Sequence, residues 1–314
     1  MTSDLITGKI AHTPVLLNEV ISGLNLQPGH IIVDGTLGLG GHSLEILKKI
    51  TKKGTVIGID QDPLNLARAQ ENLKNYSNII FVHDNFAQIK DILQQKKISK
   101  INGCLLDLGL SSPHIDCPER GFSFKNEGPL DMRMNPEQVL TAKTIVNSYP
   151  ETDLANLIYE YGEERRSRVI AKAITKYRKQ KKIETTQELA SVISSVVKNK
   201  NKKNPALLTF QALRIVVNNE IVTLQKVLKD LVELLSPGGR LAVISYHSLE
   251  DRIVKRFFKN QAKHCICPKE FLFCKCEGKA HLQIITKKPI TPTELEIRDN
   301  HRARSAKLRI AEKI

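Results

Sequence analysis

The chain has 314 residues, 41% of them hydrophobic, and 48 lysines and arginines against 33 acids give a net charge of +15. That length calls for two domains, or for one domain carrying a large insertion. No apolar run approaches the ~18–20 residues that span a bilayer, and the first residues, with Asp4, show no basic-then-apolar export signal, so a cytoplasmic protein without membrane segments is expected. The charge points to a polyanionic partner, nucleic acid ahead of an anionic membrane surface, although lysine-rich codon usage would raise it with no function attached.

In chain order, the first informative stretch is Ile31-Ile-Val-Asp34, followed by Gly35, Gly38, Gly40 and Gly41 and then by His42 opening an amphipathic segment to Ile50. A β-branched run, a tight glycine turn and a helix N-terminus make the concavity that open α/β sheets use for nucleotide-like ligands. The next apolar run, Thr55–Asp60, ends on an acid twenty positions after Gly40, a placement that suits a ribose diol. Asp34, at the tip of the first strand, would repel a pyrophosphate. S-adenosylmethionine has no phosphate and carries an ammonium and a sulfonium, so these charges favour it over NAD.

Pro63 suits the first turn of a helix over 63–75. Ile79–His83 reads as a third strand, Phe86 to Gln95 as a helix, and Gly103–Leu108 as a fourth strand apolar on both faces. This alternation predicts an α/β fold with a doubly wound sheet. It stops near residue 115. From there to about 206 the period is helical, with helices expected from Asn135-Pro136, from Pro150 to Gly162, from Glu163 to Lys182, and after a capping box of Thr185 with Glu188. A long helix over Thr209–Leu235 closes at Pro237-Gly238-Gly239. Arg240–Tyr246 returns to strand, Ser248 is expected to cap a helix to Asn260, and Leu282–Lys287 with Ala306–Ala311 form a hairpin that completes seven strands. The expected organisation is a first catalytic part over 1–114, a helical insertion over 115–206 and a second catalytic part over 207–314.

Several blocks then occur together: Asp34-Gly-Thr-Leu-Gly-Leu-Gly-Gly-His-Ser43, Leu106-Asp-Leu-Gly-Leu-Ser-Ser-Pro113, Arg120-Gly-Phe-Ser-Phe124, Gly128-Pro-Leu-Asp-Met-Arg-Met134, Tyr161-Gly-Glu-Glu164, Phe210-Gln-Ala-Leu-Arg-Ile215, Ile244-Ser-Tyr-His-Ser-Leu-Glu-Asp-Arg252 and Arg302-Ala-Arg-Ser-Ala-Lys-Leu-Arg309. From His12 to Lys313 the chain resembles the RsmH (MraW) family of ribosomal small-subunit RNA methyltransferases. The resemblance implies a class I, Rossmann-like S-adenosylmethionine methyltransferase fold with a helical insertion that recognises RNA. It further implies methyl transfer to the N4 amine of one cytidine in the decoding region of 16S rRNA, within the small ribosomal subunit. By matching position it implies cofactor contacts at Gly40, Gly41, His42, Asp60, Phe86, Asp107 and His114, the last standing where many relatives have Gln. Leu208 stands where relatives carry an Arg.

The amine lone pair of cytosine is delocalised into its ring, so a site must align the amine with the methyl donor, accept an N–H and exclude water. Asp107, Ser111 and Ser112, at the end of the fourth strand, are the candidates, with His247 after the fifth strand as a further one. Glu250 and Asp251 either shape the same pocket or serve the helix that begins beside them. Phe122 and Phe124 either stack on a flipped base or anchor a loop. Basic clusters at Lys176–Lys182, Lys198–Lys203 and Arg298–Lys313 are candidate phosphate contacts. Cys265, Cys267, Cys274 and Cys276 place four thiols within twelve residues and make a candidate structural zinc site. Two other functions fit less well: a methyltransferase for a DNA amine, disfavoured by the missing Pro-Pro-aromatic segment, and a non-catalytic RNA-binding assembly factor, disfavoured by the intact Gly40, Gly41, Asp60 and Asp107.

Overall fold

The computed structural model describes residues 14–197, 204–264, 267, 271, 273 and 278–314. It divides into two compact units, one formed by residues 1–109 and 223–314, the other by 110–222. The sequence places the inserted segment at 115–206. The second unit is wider because the helix over 207–217 packs on helices of the insertion rather than on the sheet.

In the first unit, α1 (Leu17–Gly23) precedes β1 (Ile31–Asp34), α2 (Gly41–Ile50), β2 (Thr55–Asp60), α3 (Pro63–Asn72), β3 (Ile79–His83), α4 (Ile89–Gln95) and β4 (Ile101–Asp107). In the second unit lie α5 (Ser112–Asp116), α6 (Ala142–Ser148), α7 (Glu151–Gly162), α8 (Ser167–Arg178), α9 (Thr186–Val196) and α10 (Leu207–Val217). The chain returns through α11 (Glu220–Leu234) to β5 (Leu235–Ser245), α12 (Ser248–Gln261), β6 (Leu282–Ile284), α13 (Glu294–Asp299) and β7 (Lys307–Lys313). Among the described residues no helix is long and apolar enough to cross a membrane.

The seven strands form one sheet in the order β3-β2-β1-β4-β5-β7-β6. β1 to β5 run parallel, and β7 lies antiparallel to both β5 and β6. Successive residues of a strand face opposite ways, so one run supplies two cores. Val33, Ile57, Leu106 and Val243 pack against α4, α11 and α12. Ile32, Val56, Leu105 and Ile244 pack against α1, α2 and α3. Both faces are covered, which explains why these strands read as continuous apolar runs. The second unit has its own core, built from Ile145, Leu154, Ile158, Ile170, Ile174, Leu189 and Leu213 on five of its helices.

Four local expectations are corrected. The helix predicted from Asn135-Pro136 is a turn: the Asn135 side chain accepts the Glu137 N–H, and Arg133, paired with Asp131, holds the Pro136 and Gln138 carbonyls. The helix predicted over 163–182 starts only at Ser167, because Glu163 adopts φ 55° and ends α7. The single helix predicted over 209–235 is two, broken where Asn219 takes φ 52°. There the Asn218 side chain accepts the Met134 N–H and donates to the Met132 carbonyl, hydrogen bonds that a continuous helix would not place. The cap of α12 is His247, not Ser248. Its ring accepts the Glu250 N–H, while the Glu250 carboxylate accepts the His247 N–H. The capping box of Thr185 with Glu188 forms as expected.

Candidate cofactor and active site

Strand order reverses between β1 and β4, which opens a crevice at their carboxyl ends, where ligands of open α/β sheets bind. β1 ends there on Asp34 and β4 on Asp107. The turn between β1 and α2 needs its glycines: Gly40, the α2 N-cap, sits at φ +84°, and a Cβ there would lie 2.7 Å from Leu73 Cδ1. Asp34, expected at the tip of β1 to repel a pyrophosphate, is turned into the fold. It is 1% exposed, and its carboxylate accepts the Ser43 hydroxyl at 2.7 Å and the Thr36 N–H at 3.3 Å. It therefore ties β1 to α2 and acts on a ligand only through its field. Burial pushes its pKa up to about 6 against those two hydrogen bonds.

Asp60 closes β2 with both oxygens engaged by backbone. One accepts the Gly38 N–H of the glycine turn at 2.7 Å, the other the Asp62 N–H at 2.8 Å. The Asn65 side chain is hydrogen-bonded to Asp60 as well, so only the remaining part of its acceptor capacity is open to a ribose. Burial raises its pKa to about 7 against these bonds. Phe86 opens a 3-10 turn capped by the Asn85 side chain, and its Cβ would lie 3.3 Å from a Cβ placed on Gly35, so the ring is anchored close to the end of β1.

Asp107 receives the Tyr246 hydroxyl on Oδ1 at 2.9 Å, and its backbone N–H donates to the Thr36 hydroxyl at 2.6 Å. His42 is 7% exposed, and its Nε2 lies 3.0 Å from the Val15 carbonyl. A carbonyl only accepts, so Nε2 carries the proton and Nδ1 presents a lone pair. Burial lowers the His42 pKa to about 4, which keeps the ring neutral. Its Nδ1 stands 3.8 Å from Asp107 Oδ2, two acceptors facing each other across a gap. Burial raises the Asp107 pKa to about 7, with the Tyr246 hydrogen bond opposing and the charges of Asp34 and Glu250 adding to it. Among the described residues, no lysine or arginine pairs with Asp34, Asp60 or Asp107. Acids set around a glycine turn without basic partners fit a cationic ligand free of phosphate.

The remaining candidates are placed as follows. Ser111, Ser112 and His114 open α5 in the second unit, with Ser111 at the N-cap and His114 Nδ1 accepting the Ser111 N–H at 3.2 Å. His114 is buried against Phe122, ring centroids 4.9 Å apart, and Phe124 meets Phe210 edge-on at 5.1 Å. The two phenylalanines thus pack on the core of the second unit, the anchoring role rather than the stacking one. His247 Nε2 lies 3.1 Å from Glu250 Oε1. Asp251 pairs with Arg309 on β7 at 2.6 Å and lies 3.6 Å from the Lys307 ammonium, a structural role. Cys265, Cys274, Cys276 and the basic cluster over 198–203 lie outside the described residues, so the zinc expectation finds no support beyond its spacing. Sequence reasoning passed over Tyr246, Thr36 and Ser43. For Tyr246 the available signal was a polar residue directly following an apolar strand run, inside a block already singled out.

Sheets with this strand order and a reversed seventh strand are those of class I methyltransferases, which use S-adenosylmethionine. The chain belongs to the MraW methylase family, whose profile matches residues 9–314. It is 48% identical over 308 residues to a Halothermothrix orenii protein named Ribosomal RNA small subunit methyltransferase H, covering 97% of this chain and 99% of that one. A protein of the same name from Caldicellulosiruptor saccharolyticus is 50% identical over 304 residues, covering 96% and 99%.

Proposed function

We propose that this protein transfers the methyl group of S-adenosylmethionine to the N4 amine of a specific cytidine in 16S rRNA, in the decoding region of the small ribosomal subunit, and works in the cytoplasm. The carrying observation is the set of Asp34, Asp60 and Asp107 without basic partners around the glycine turn, in a chain whose relatives are named as small-subunit rRNA methyltransferases. S-adenosylmethionine, when bound, supplies a methyl carbon made electrophilic by its sulfonium. In this reading Gly40 and Gly41 admit the ligand to the backbone, Asp60 accepts from its ribose hydroxyls, Phe86 flanks its adenine, and His42 and Asp107 accept from its charged end. His114 is assigned to the cofactor by its place in the family pattern. Ser111 and Ser112, four and five residues beyond Asp107, position the cytosine amine, and His247 contributes by holding the start of α12. Attack by an amine needs no cysteine adduct, in keeping with the Cys104 thiol on β4, which is fully buried and pushed well above its usual pKa.

The reading predicts that nucleoside mass spectrometry of small-subunit rRNA from cells lacking the protein loses N4-methylcytidine at one position. Undiminished modification, or transfer by the purified protein to DNA in preference to small subunits, would refute it.

The second unit is proposed as the RNA-recognition domain. Arg168, Lys172, Lys176 and Lys179 are exposed at helical spacing along α8 and its C-cap, and none makes an ion pair among the described residues. Spaced ~5–6 Å along the axis, they match the reach of successive phosphates. Replacing Arg168, Lys172 and Lys176 together with Glu is expected to weaken RNA binding without changing cofactor affinity. It should also flatten the log–log salt dependence by about one unit per lost phosphate contact. An unchanged slope would remove α8 from the interface.

A further inference from the structure

Tyr246 follows β5 directly, beside the end of β4, and its hydroxyl reaches Asp107 Oδ1 at 2.9 Å. Burial, with the Asp107 charge next to it, holds the phenol well above its usual pKa, so it remains a donor. One oxygen of Asp107 is thereby committed. Among the described residues, no side chain donates to the other oxygen or to the His42 Nδ1 lone pair 3.8 Å from it.

We propose that Tyr246 is a positioning residue for cofactor capture: by pinning Asp107 Oδ1 it leaves Asp107 Oδ2 and His42 Nδ1 as a two-acceptor clamp for a protonated amine, the α-ammonium of an amino-acid-bearing nucleoside. The clamp rests on the S-adenosylmethionine reading above and assigns one end of that ligand to particular atoms. It also makes capture depend on pH. The groups facing Asp107 are Tyr246 after β5, His42 on α2, Asp34 at the end of β1 and Glu250 on α12. Of these the Tyr246 hydroxyl favours the ionised carboxylate, whereas Asp34 and Glu250 oppose it, as burial does. A protonated Asp107 donates to His42 Nδ1 and shuts the clamp. An ionised one opens it to the ammonium. Affinity for an amine-bearing ligand therefore rises with pH as Asp107 loses its proton, and removing the Tyr246 hydroxyl moves that rise to higher pH.

The test is calorimetry on the full chain between pH 5.5 and 8.5 with two ligands, S-adenosylhomocysteine, which has the α-amine, and 5′-methylthioadenosine, which lacks it. For the unmodified chain, S-adenosylhomocysteine affinity is expected to climb severalfold more from pH 6 to pH 8 than that of 5′-methylthioadenosine, because both ligands sense Asp60 through the ribose and only the first senses Asp107 through its amine. In Tyr246→Phe the climb shifts upward by about one pH unit, which weakens S-adenosylhomocysteine about fivefold at pH 7 and spares 5′-methylthioadenosine. Equal losses for both ligands, or an unshifted profile, would overturn the assignment by showing a merely structural tyrosine. The two-ligand comparison on the unmodified chain needs no variant, and parallel profiles there overturn the clamp as well. If neither ligand binds at any pH, the cofactor reading itself is what fails.

Discussion

Asp107→Asn is expected to make the ligand-free protein more stable at pH 8 while costing it ten- to a hundredfold in affinity for S-adenosylmethionine. Asp107 is held at about pKa 7, above its unfolded value, chiefly by burial. The folded state thus binds a proton more tightly than the unfolded chain, so the penalty is absent below the unfolded pKa near 4, grows as pH rises and is complete above about 7. An asparagine carries no charge to desolvate. Its oxygen can accept the Tyr246 hydroxyl and its amide can donate to His42 Nδ1, which relieves the facing acceptors 3.8 Å apart. With the side chain 23% exposed, a gain of roughly 1–3 kcal/mol at pH 8 is reasonable, shrinking toward zero at pH 4. The same change removes a charged acceptor from the clamp, where a charge-assisted hydrogen bond contributes about 1.5–3 kcal/mol. Thermal melts at the two pH values, with calorimetry at pH 8, check both parts. An Asn variant that is less stable than the parent at both pH values would contradict the argument.

Asp251→Ala is expected to have the largest effect on stability, about 3–5 kcal/mol, with little effect on cofactor affinity in protein that remains folded. Arg309 on β7 is 8% exposed and meets both oxygens of Asp251, itself 14% exposed, at 2.6 and 3.3 Å. Removing the acid leaves a guanidinium buried beside the sheet without its partner. Burial alone would raise the Asp251 pKa, but Arg309 and Lys307 together hold it below the usual carboxylate range. The pair therefore stabilises the fold at pH values above the unfolded pKa near 4, and that contribution is lost as pH falls through the lower folded value. Urea titrations at pH 7 and pH 3 should show the mutant and parent converging in acid. If Asp251→Ala instead kept its stability and lost methyl transfer, the pocket-shaping role would be the correct one.

Much of the scaffold was legible in the chain. Continuous apolar runs marked β1 to β5, because strands covered on both faces have no polar side to show. The glycine spacing marked the turn, since Gly40 at φ +84° against Leu73 tolerates nothing larger. The box of Thr185 with Glu188 marked the start of α9, because both halves of that interaction lie within one helical turn. What failed locally was also local in origin: Ser248 is a good cap by type, yet the backbone bends one residue earlier, at His247.

By itself the sequence determined most of the elements, the class of fold, the glycine turn and the family, because these depend on periodicity and on neighbours within about four positions. Only the tertiary structure decided that Asp34 turns inward to Ser43, that Tyr246 holds Asp107 from 139 residues away, and that Asn218 breaks a long helix to serve Met134, 84 residues earlier. Hydrogen-bond partners separated that far are chosen by how the strands and helices pack. No pattern along the chain encodes that choice in a form that can be read one segment at a time.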